Sequence, residues 1–185
     1  MKELLFAIQS KAKNQKRFII SIDGRAASGK STLASYLEQE LGAAVFHMDD
    51  YFLTQEMKTN ERLAMPGGNV HYERLEEEVF NHIEDDSIEF RKYNCTTEEL
   101  EQKSTKMLSK YIVVEGVYSQ QKRLKKHYDF NIFSKVSKEE QLQRLKKRNP
   151  RLLDKFIHEW LPLEEDYFQK EDIEKNADFR IFVVK

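Results

Sequence analysis

The chain has 185 residues, and its 31 lysines and arginines against 32 aspartates and glutamates leave a formal charge of −1. This balance excludes a protein that binds nucleic acid without sequence preference, because such binding needs a large excess of positive charge. The single cysteine, Cys95, excludes an internal disulfide, and no apolar run approaches the ~20 residues that cross a bilayer. We therefore expect a cytoplasmic protein with one domain over residues 1–185 and a small-molecule substrate. We expect no nucleic-acid or membrane partner, and a homo-oligomer is compatible with the sequence.

Apolar clusters alternate with charged helical patterns along the chain, which predicts an α/β protein with a mostly parallel sheet of five strands. The predicted strands are short and rich in β-branched or aromatic residues, as expected of strands covered on both faces. They span residues 17–23, 43–47, 111–115, 128–133 and 179–184. The predicted helices span residues 2–14, 30–41, 73–85, 119–127, 137–148 and 152–169.

Several residues mark where these helices begin, end or bend. Gly42 is well placed as a left-handed cap at the end of the second helix. Ser137, followed three residues later by Glu140, predicts a capping box at the start of the fifth helix. Pro162 is expected to kink or break the last helix. Residues 87–110 stay open, because they begin with strand-like alternation and continue as a polar stretch that also suits a helical turn.

A glycine-bounded turn joins the first predicted strand to the second predicted helix. It reads GRAASGKS and fits the pattern G-x-x-x-x-G-K-[ST]. Glycines at these positions let successive N–H groups turn inward and hold phosphate at the positive end of the helix. A tight turn without a ligand is the alternative. The residues predicted to bind the nucleotide are Gly24, Arg25, Ala26, Ala27, Ser28, Gly29, Lys30, Ser31 and Thr32.

Acidic residues follow two of the predicted strands. Asp49 and Asp50 come just after strand 43–47, and Glu115 closes strand 111–115. The carboxyl ends of parallel strands form the ligand crevice of such a sheet, so these carboxylates should face the phosphates. They could hold Mg²⁺ or accept the proton of an attacking hydroxyl. Caps or solvated turns are the alternative, and either aspartate suits the role of base.

Three blocks of sequence, IDGRAASGKSTLA, HMDDYF and VVEGVYS, together resemble the uridine kinase branch of the P-loop kinases. This family also includes phosphoribulokinase-like and pantothenate kinase-like enzymes. The resemblance implies a three-layer α/β/α P-loop NTPase fold with a central phosphate-loop strand, and ATP and Mg²⁺ as cofactors. It implies that Asp49 is the catalytic base, with Asp50 left open. Ser31, Asp49 and Glu115 would then hold the metal, and Lys30 would contact the β- and γ-phosphates.

The segment MPGGNVHYERL, residues 65–75, resembles the region where such kinases hold the phosphoryl acceptor. It carries Asn-Val-His-Tyr where uridine kinases typically have a motif of the Asp-His-Pro type. Uridine and cytidine therefore compete with pantothenate-like and sugar-like acceptors. A polar loop with solvated arginines is the alternative. The residues predicted to contact the acceptor are Asp49, Asp50, Tyr51, Arg62, His71, Tyr72 and Arg74.

Arg144 and Arg148 lie four residues apart on one face of the fifth predicted helix. The resemblance implies a small helical lid at about residues 144–152, in which both arginines act as catalytic groups with Lys30. A solvated basic helix face is the alternative, although Pro150 favours a mobile turn. We therefore expect a kinase that transfers the γ-phosphoryl group of ATP to a hydroxyl of a small metabolite, with a nucleoside such as uridine or cytidine as the expected acceptor. A nucleotide-binding switch that hydrolyses ATP slowly is the alternative from another class.

Overall fold

The structure is a computed structural model that describes residues 1–182, so residues 183 and 184 of the last predicted strand lie outside the described part. Its strands are β1 (Phe18–Gly24), β2 (Ala44–His47), β3 (Ser87–Asn94), β4 (Glu99–Met107), β5 (Tyr111–Glu115), β6 (Phe130–Lys135) and β7 (Phe179–Phe182). Its α-helices are α1 (Lys2–Lys11), α2 (Lys30–Leu41), α3 (Asn60–Leu63), α4 (Tyr72–Glu78), α5 (Lys138–Arg148), α6 (Leu153–Lys155), α7 (Leu161–Lys170) and α8 (Ile173–Asn176).

Five strands form one parallel sheet in the order β2-β5-β1-β6-β7. The central position belongs to β1, in which Ile20 pairs with Val113 of β5 on one side and with Phe130 of β6 on the other. All seven residues of β1 are buried. This confirms the predicted five-stranded sheet and the central place of the strand that leads into the phosphate loop.

Two apolar cores cover the two faces of this sheet. Successive residues of a strand point to opposite faces, so Ile19 packs in one core and Ile20 in the other. The first core includes Phe46 and Tyr167, and the second includes Leu33 of α2. The sheet therefore lies between helical layers, as the α/β/α prediction requires.

Residues 87–107, which the sequence left open, form an antiparallel hairpin separate from the main sheet. Alternate residues of β3 are buried: Ile88 and Phe90 face the core while Ser87 and Glu89 face solvent. Phe90 packs edge-on against Phe46 of β2 with ring centroids 5.5 Å apart. The hairpin is thereby held against β2, and the two aspartates stand on the turn that directly follows this strand.

The predicted helix over residues 119–127 is wrong, since turns occupy this segment and only Lys125–His127 form a 3₁₀ helix. Its polar groups bond to distant strands instead of to a helix of their own. The hydroxyl of Ser119 donates to the Ile22 carbonyl at 3.1 Å, and the side-chain amide of Gln120 donates to the Ile132 carbonyl at 2.9 Å. These long-range bonds outweigh the local helix propensity.

Two other predicted helices are shorter or less regular than expected. The helix predicted over 73–85 ends at Glu78 and continues only as a 3₁₀ turn, where Phe80 stacks on His127 at 4.2 Å. The helix predicted over 152–169 is divided by a π-helical turn at Phe156–Trp160. Pro162 stands in the first turn of α7. Because proline has no N–H to donate, the wider turn directly before it fits the predicted break.

The expected helix caps are present at two of the predicted positions. Gly42 caps α2 in the left-handed region, with φ +63°. Ser137 accepts a hydrogen bond from the Glu140 N–H at 3.2 Å at the start of α5. The Glu140 carboxylate accepts from Arg144 at 2.7 Å. Within residues 1–182, no helix has both the length and the apolar character that a membrane span needs.

Candidate active site

The turn between β1 and α2 has the backbone of an anion-binding loop. Gly24 has φ +140° and Gly29 has φ +94°, both in a region that side chains disfavour. A Cβ on Gly24 would also overlap the Ser134 carbonyl of the neighbouring strand β6. Within the described chain, no side chain caps the N-terminus of α2 and no acidic residue lies in its first turn. Its amides and positive dipole end therefore suit a phosphate group.

Lys30 lies inside this loop. Its side chain is 7% exposed, and its Nζ donates to the carbonyls of Gly24 at 2.8 Å and Arg25 at 2.9 Å. The ammonium group is thus fixed within the turn where a triphosphate would lie. A fixed positive charge at this position is suited to stabilise a transferred phosphoryl group.

The other elements of the site meet at the carboxyl ends of β2 and β5. The sheet register places His47 beside Glu115, as the last residues of two adjacent parallel strands. Glu115 Oε1 accepts from the Ser31 hydroxyl at 3.0 Å and pairs with His47 Nδ1 at 2.6 Å. The hydrogen bond to Glu115 raises the pKa of His47, against the opposing effect of burial.

Asp49 and Asp50 stand on a short 3₁₀ helix, Met48–Tyr51, that directly follows β2. Asp49 stays in contact with solvent, yet protein surrounds it closely enough that desolvation, with the negative charge of Glu115, raises its pKa. Lys30 and Arg148 lower the pKa of Asp49 and so lie on its side of the turn.

Asp50 faces a different set of charges. Burial raises its pKa, while Lys92 and Lys106 of the hairpin and His47 lower it. The structure therefore separates the two aspartates that the sequence left as alternatives. The pKa of Asp49 responds to Lys30, Glu115 and Arg148, whereas that of Asp50 responds to Lys92, His47 and Lys106.

The two arginines of α5 differ in their surroundings. Arg144 donates to the Ala27 carbonyl of the phosphate loop at 3.1 Å and to Glu140 of its own helix. Arg148, at the end of α5, is exposed, and its charge acts on Asp49. Arg144 therefore holds the loop, and Arg148 is accessible on the side where a phosphoryl group would meet Asp49.

The arginines of the predicted acceptor segment bond mainly to the protein itself. Arg62 donates to the carbonyls of Gly68 at 3.2 Å and Val70 at 3.0 Å. Arg74 is buried, donates to the Asp50 carbonyl at 2.6 Å, and lies over the Tyr51 ring at 4.5 Å. Both arginines thus stabilise the backbone around the predicted acceptor site through hydrogen bonds to carbonyl groups.

The aromatic residues predicted to contact the acceptor lie at different depths. Tyr51 is fully buried beneath Arg74, which leaves it out of reach of a ligand. Tyr72 is also buried, and within residues 1–182 its hydroxyl has no hydrogen-bond partner. This hydroxyl lies against Gly67, where a Cβ would collide with it. His71 is half-buried, and desolvation lowers its pKa.

The sequence analysis missed a fully buried carboxylate at the base of the loop. Asp23 accepts hydrogen bonds from the Gly24 N–H at 2.7 Å, the Gln120 N–H at 3.0 Å and the Tyr167 hydroxyl at 2.7 Å. Burial raises the pKa of Asp23 to about 6. Its only signal in the sequence is its place directly before Gly24.

A second missed carboxylate comes from α7. Glu164 is 5% exposed and accepts from the Ala26 N–H of the phosphate loop at 3.0 Å. Burial raises the pKa of Glu164 to about 7. Its neighbour Glu165 pairs with Arg25 at 2.6 Å. Residues about 140 positions away along the chain therefore hold the loop in place.

The residues at the strand ends fit a magnesium ion. Mg²⁺ prefers oxygen ligands, and its nucleotide sites use one or two carboxylates completed by phosphate oxygens and water. Here a hydroxyl, Ser31, contacts the Glu115 carboxylate, and Asp49 is close enough for its charge to interact with Glu115. In the part of the chain that the structure describes, no cluster of three or more His, Cys, Asp or Glu side chains could hold a metal alone.

The fold and this loop define a P-loop protein of the α/β/α type. A sequence model of the phosphoribulokinase / uridine kinase family matches residues 19–151, more than half of the chain. The chain belongs to this family, and it is accordingly a kinase, a phosphotransferase that uses a nucleotide. A search of the curated proteins finds no match.

Solved structures support the same fold. A possible uridine kinase from Bacillus stearothermophilus is 25% identical, with TM-score 0.72, over 97% of this chain and 99% of that one. A putative fructose transport system kinase from a Silicibacter species is 17% identical, with TM-score 0.76 and 97% of each chain covered. D-glycerate 3-kinase from Cryptococcus neoformans is 13% identical, with TM-score 0.67, over 97% of this chain and 91% of that one.

Proposed function

We propose that the protein transfers the γ-phosphoryl group of ATP, with Mg²⁺, to a hydroxyl of a small metabolite, with uridine and cytidine as the first acceptors to test. One observation carries the proposal. At the strand ends, the solvent-exposed Asp49 stands on the turn that directly follows β2, and the last residue of β2, His47, contacts the Glu115 carboxylate that also accepts from Ser31 of α2. A carboxylate that orients a nucleophile can serve a water molecule as well as an alcohol, so the dependence of turnover on an acceptor separates a kinase from a nucleotide hydrolase.

Asp49 has the properties of a general base for a hydroxyl. Desolvation raises its pKa, and a carboxylate with a raised pKa is a stronger proton acceptor nearer to neutral pH. It also stays open to solvent, so an acceptor can reach it. We infer that Asp49 orients the attacking hydroxyl and takes its proton as the new oxygen–phosphorus bond forms and the bond from the γ-phosphorus to the departing ADP oxygen breaks.

Positive groups on the other side of the reacting phosphoryl complete the arrangement. Lys30 is fixed in the loop by its two carbonyl contacts, and Arg148 is exposed at the end of α5. Both would stabilise the charge that is spread over the phosphoryl oxygens in the transition state. Bound Mg²⁺, held by Ser31, Glu115 and Asp49, would supply further neutralisation of the phosphates.

The acceptor would lie between Asp49 and the segment that follows α3. Besides Asp49, the predicted acceptor residues that keep contact with solvent include His71 and Asp50. Arg62 keeps this segment in shape through two backbone carbonyls. A nucleoside is favoured by the resemblance of the three motif blocks. A sugar-like or pantothenate-like alcohol is the second candidate, because this segment departs from the Asp-His-Pro type motif.

An ADP-release screen tests the proposal directly. The purified protein is incubated with ATP or GTP and Mg²⁺, alone and with each member of a panel of nucleosides, sugars, glycerate and pantothenate. We expect little release without an acceptor and a large increase with uridine or cytidine. An increase with another alcohol only would retain the kinase and replace the acceptor. Steady release that no acceptor changes would contradict the proposal and favour a nucleotide-dependent switch.

A further inference from the structure

The Glu115 carboxylate is held at one of its two oxygens. Oε1 accepts from the Ser31 hydroxyl at 3.0 Å and lies 2.6 Å from His47 Nδ1. A carboxylate has no proton to give, so Nδ1 must carry the hydrogen and donate it. Both bonds go to Oε1, and the side chain of Glu115 is only 7% exposed. Oε2 is therefore the oxygen that remains for a cation.

The His47–Glu115 contact is set by the sheet and not by a loop. The two residues are register partners at the ends of the parallel strands β2 and β5. Glu115 is also the register partner of Ile22 in β1, so its backbone is held from both sides. Side chains on rigid strands keep their relative positions better than side chains on loops. The imidazole can thus fix the orientation of the carboxylate before any ligand binds.

We propose that His47 is a positioning residue for the metal site: it donates from Nδ1 to Oε1 of Glu115 and so holds the carboxylate in the orientation that binds the magnesium ion. This inference rests on the proposed metal role of Glu115. It needs only a neutral imidazole that carries its hydrogen on Nδ1. Hydrogen bonds to a ligating carboxylate typically contribute 10- to 100-fold to metal affinity, which sets the expected size of the effect.

His82 offers a matched control for His47. Its Nδ1 lies 2.9 Å from the Asp85 carboxylate, and its side chain is 55% exposed, against 41% for His47. It stands in the turn after α4, outside the strand ends that form the site. His82→Ala therefore removes a similar histidine–carboxylate pair without touching the metal site.

The experiment measures Mn²⁺ binding to the protein–ADP complex by electron paramagnetic resonance, and ADP binding in EDTA by calorimetry. We expect His47→Ala to weaken Mn²⁺ roughly 10- to 100-fold with ADP affinity in EDTA unchanged. His47→Asn, whose amide nitrogen can replace Nδ1, should restore most of the Mn²⁺ affinity. His82→Ala should match the unsubstituted protein in both measurements.

Two results would overturn the role of His47. One is unchanged Mn²⁺ affinity in His47→Ala, and the other is an equal loss of ADP affinity in EDTA, which would indicate damage to the fold. Glu115→Gln separates this failure from failure of the proposed metal site. If Glu115→Gln also leaves Mn²⁺ affinity unchanged, Glu115 is not a metal ligand and the inference fails with it.

Discussion

Asp49 and Asp50 are adjacent in the chain but belong to different environments. Both stand on one 3₁₀ turn, yet Lys30, Arg148 and Glu115 affect the pKa of Asp49, whereas the lysines of the hairpin and His47 affect the pKa of Asp50. Each substitution by asparagine keeps the size of the side chain and removes one negative charge. The two substitutions therefore compare the proposed base, Asp49, with its neighbour in the chain, Asp50.

We expect Asp49→Asn to lower kcat by at least about 100-fold, because general-base catalysis contributes 10²–10⁴-fold. ATP affinity, measured by calorimetry in EDTA so that the proposed metal role of Asp49 does not contribute, should be retained, since the phosphate loop is intact. Asp50→Asn is the control and should keep kcat close to that of the unsubstituted protein. The reverse order of effects would move the role of base to Asp50, and unchanged turnover in both would remove it from this turn.

Lys30 is expected to contribute to nucleotide binding through its charge. Lys30→Met keeps the length of the apolar stem and removes the ammonium group that bonds to Gly24 and Arg25. A hydrogen bond to a charged group contributes about 1.5–3 kcal/mol, so ATP should bind roughly 10- to 100-fold more weakly.

AMP provides the comparison for this variant, because it lacks the β- and γ-phosphates that Lys30 is expected to contact. We expect its affinity to change little when both ligands are titrated in parallel. An equal loss for ATP and AMP would indicate that Lys30→Met disturbs the loop as a whole. In that case Lys30 would act mainly by holding the loop backbone through its hydrogen bonds to the carbonyls of Gly24 and Arg25.

Among single functional residues, the sequence predicts those that lie next to one another in the chain. The phosphate loop is legible because its residues follow one another and the backbone demands glycine at fixed positions. Glu164 could not be found in this way, since its partner Ala26 lies 138 positions earlier and no local pattern marks it. Asp23 was visible beside Gly24, but only the structure reveals that it is buried and bonded by three groups.

Among the elements, α5 links the phosphate loop to the predicted lid. Ser137 fixes its start, and its last residue, Arg148, is exposed beside the crevice. Arg144, one turn earlier, is engaged with the Ala27 carbonyl. Removing Arg144 would therefore disturb the loop as well as any substrate contact, whereas Arg148 can be tested without that complication.

We expect Arg148→Ala to lower kcat by roughly 100- to 1,000-fold, the range found when one group that stabilises transition-state charge is removed. Stability should be nearly unchanged, because substitutions at exposed positions usually alter it by under about 0.5 kcal/mol. Lys147→Ala removes a charge from an adjacent exposed position of α5 and is the control. Steady-state kinetics and urea unfolding measure the two effects. Equal kinetics for the two variants would contradict a role for Arg148 in phosphoryl transfer.

Two segments show where tertiary contacts override the local sequence pattern of a helix or a strand. Residues 119–127 have good helix formers, yet Ser119 and Gln120 bond to the carbonyls of Ile22 and Ile132. The segment from 87 to 107 has a mostly exposed second strand, so its polar sequence carries little alternation to indicate β structure. Both segments depend on neighbours far along the chain, which a single sequence does not display.

Across the whole molecule, the phosphate loop is held by residues from distant parts of the chain. Gln141 donates to the Ala26 carbonyl at 3.1 Å, and Glu164 accepts from the Ala26 N–H. Tyr167 reaches the loop through Asp23. Two acidic groups, Asp23 and Glu164, are thereby buried within one region beside Lys30. Their burial makes the stability of the fold depend on pH.

The sign of this dependence follows from the direction of the shifts. The pKa of Glu164 rises from 4.5 to about 7 on folding, and that of Asp23 rises from 3.8 to about 6. Folding therefore favours the protonated forms. Their contribution to stability is fully present below the ordinary pKa values and is lost as pH rises through about 6 to 7. The free energy of unfolding should fall between about pH 5 and about pH 8.

Glu164→Gln tests this at one site, because the amide stays neutral while its carbonyl can still accept from the Ala26 N–H. Burial is the main cause that raises the pKa of Glu164, and Asp23 and Glu165 add to it, whereas the Ala26 N–H and Lys30 lower it, so the net cost of ionisation is of order 3 kcal/mol. The variant should be more stable than the native protein at about pH 8 and similar at about pH 5, measured by urea unfolding. Glu165→Gln, which breaks the pair with Arg25 and removes only the smallest of the effects that raise the pKa of Glu164, should keep most of the native slope. If Glu164→Gln also kept that slope, ionisation of Glu164 would not govern the stability of the loop.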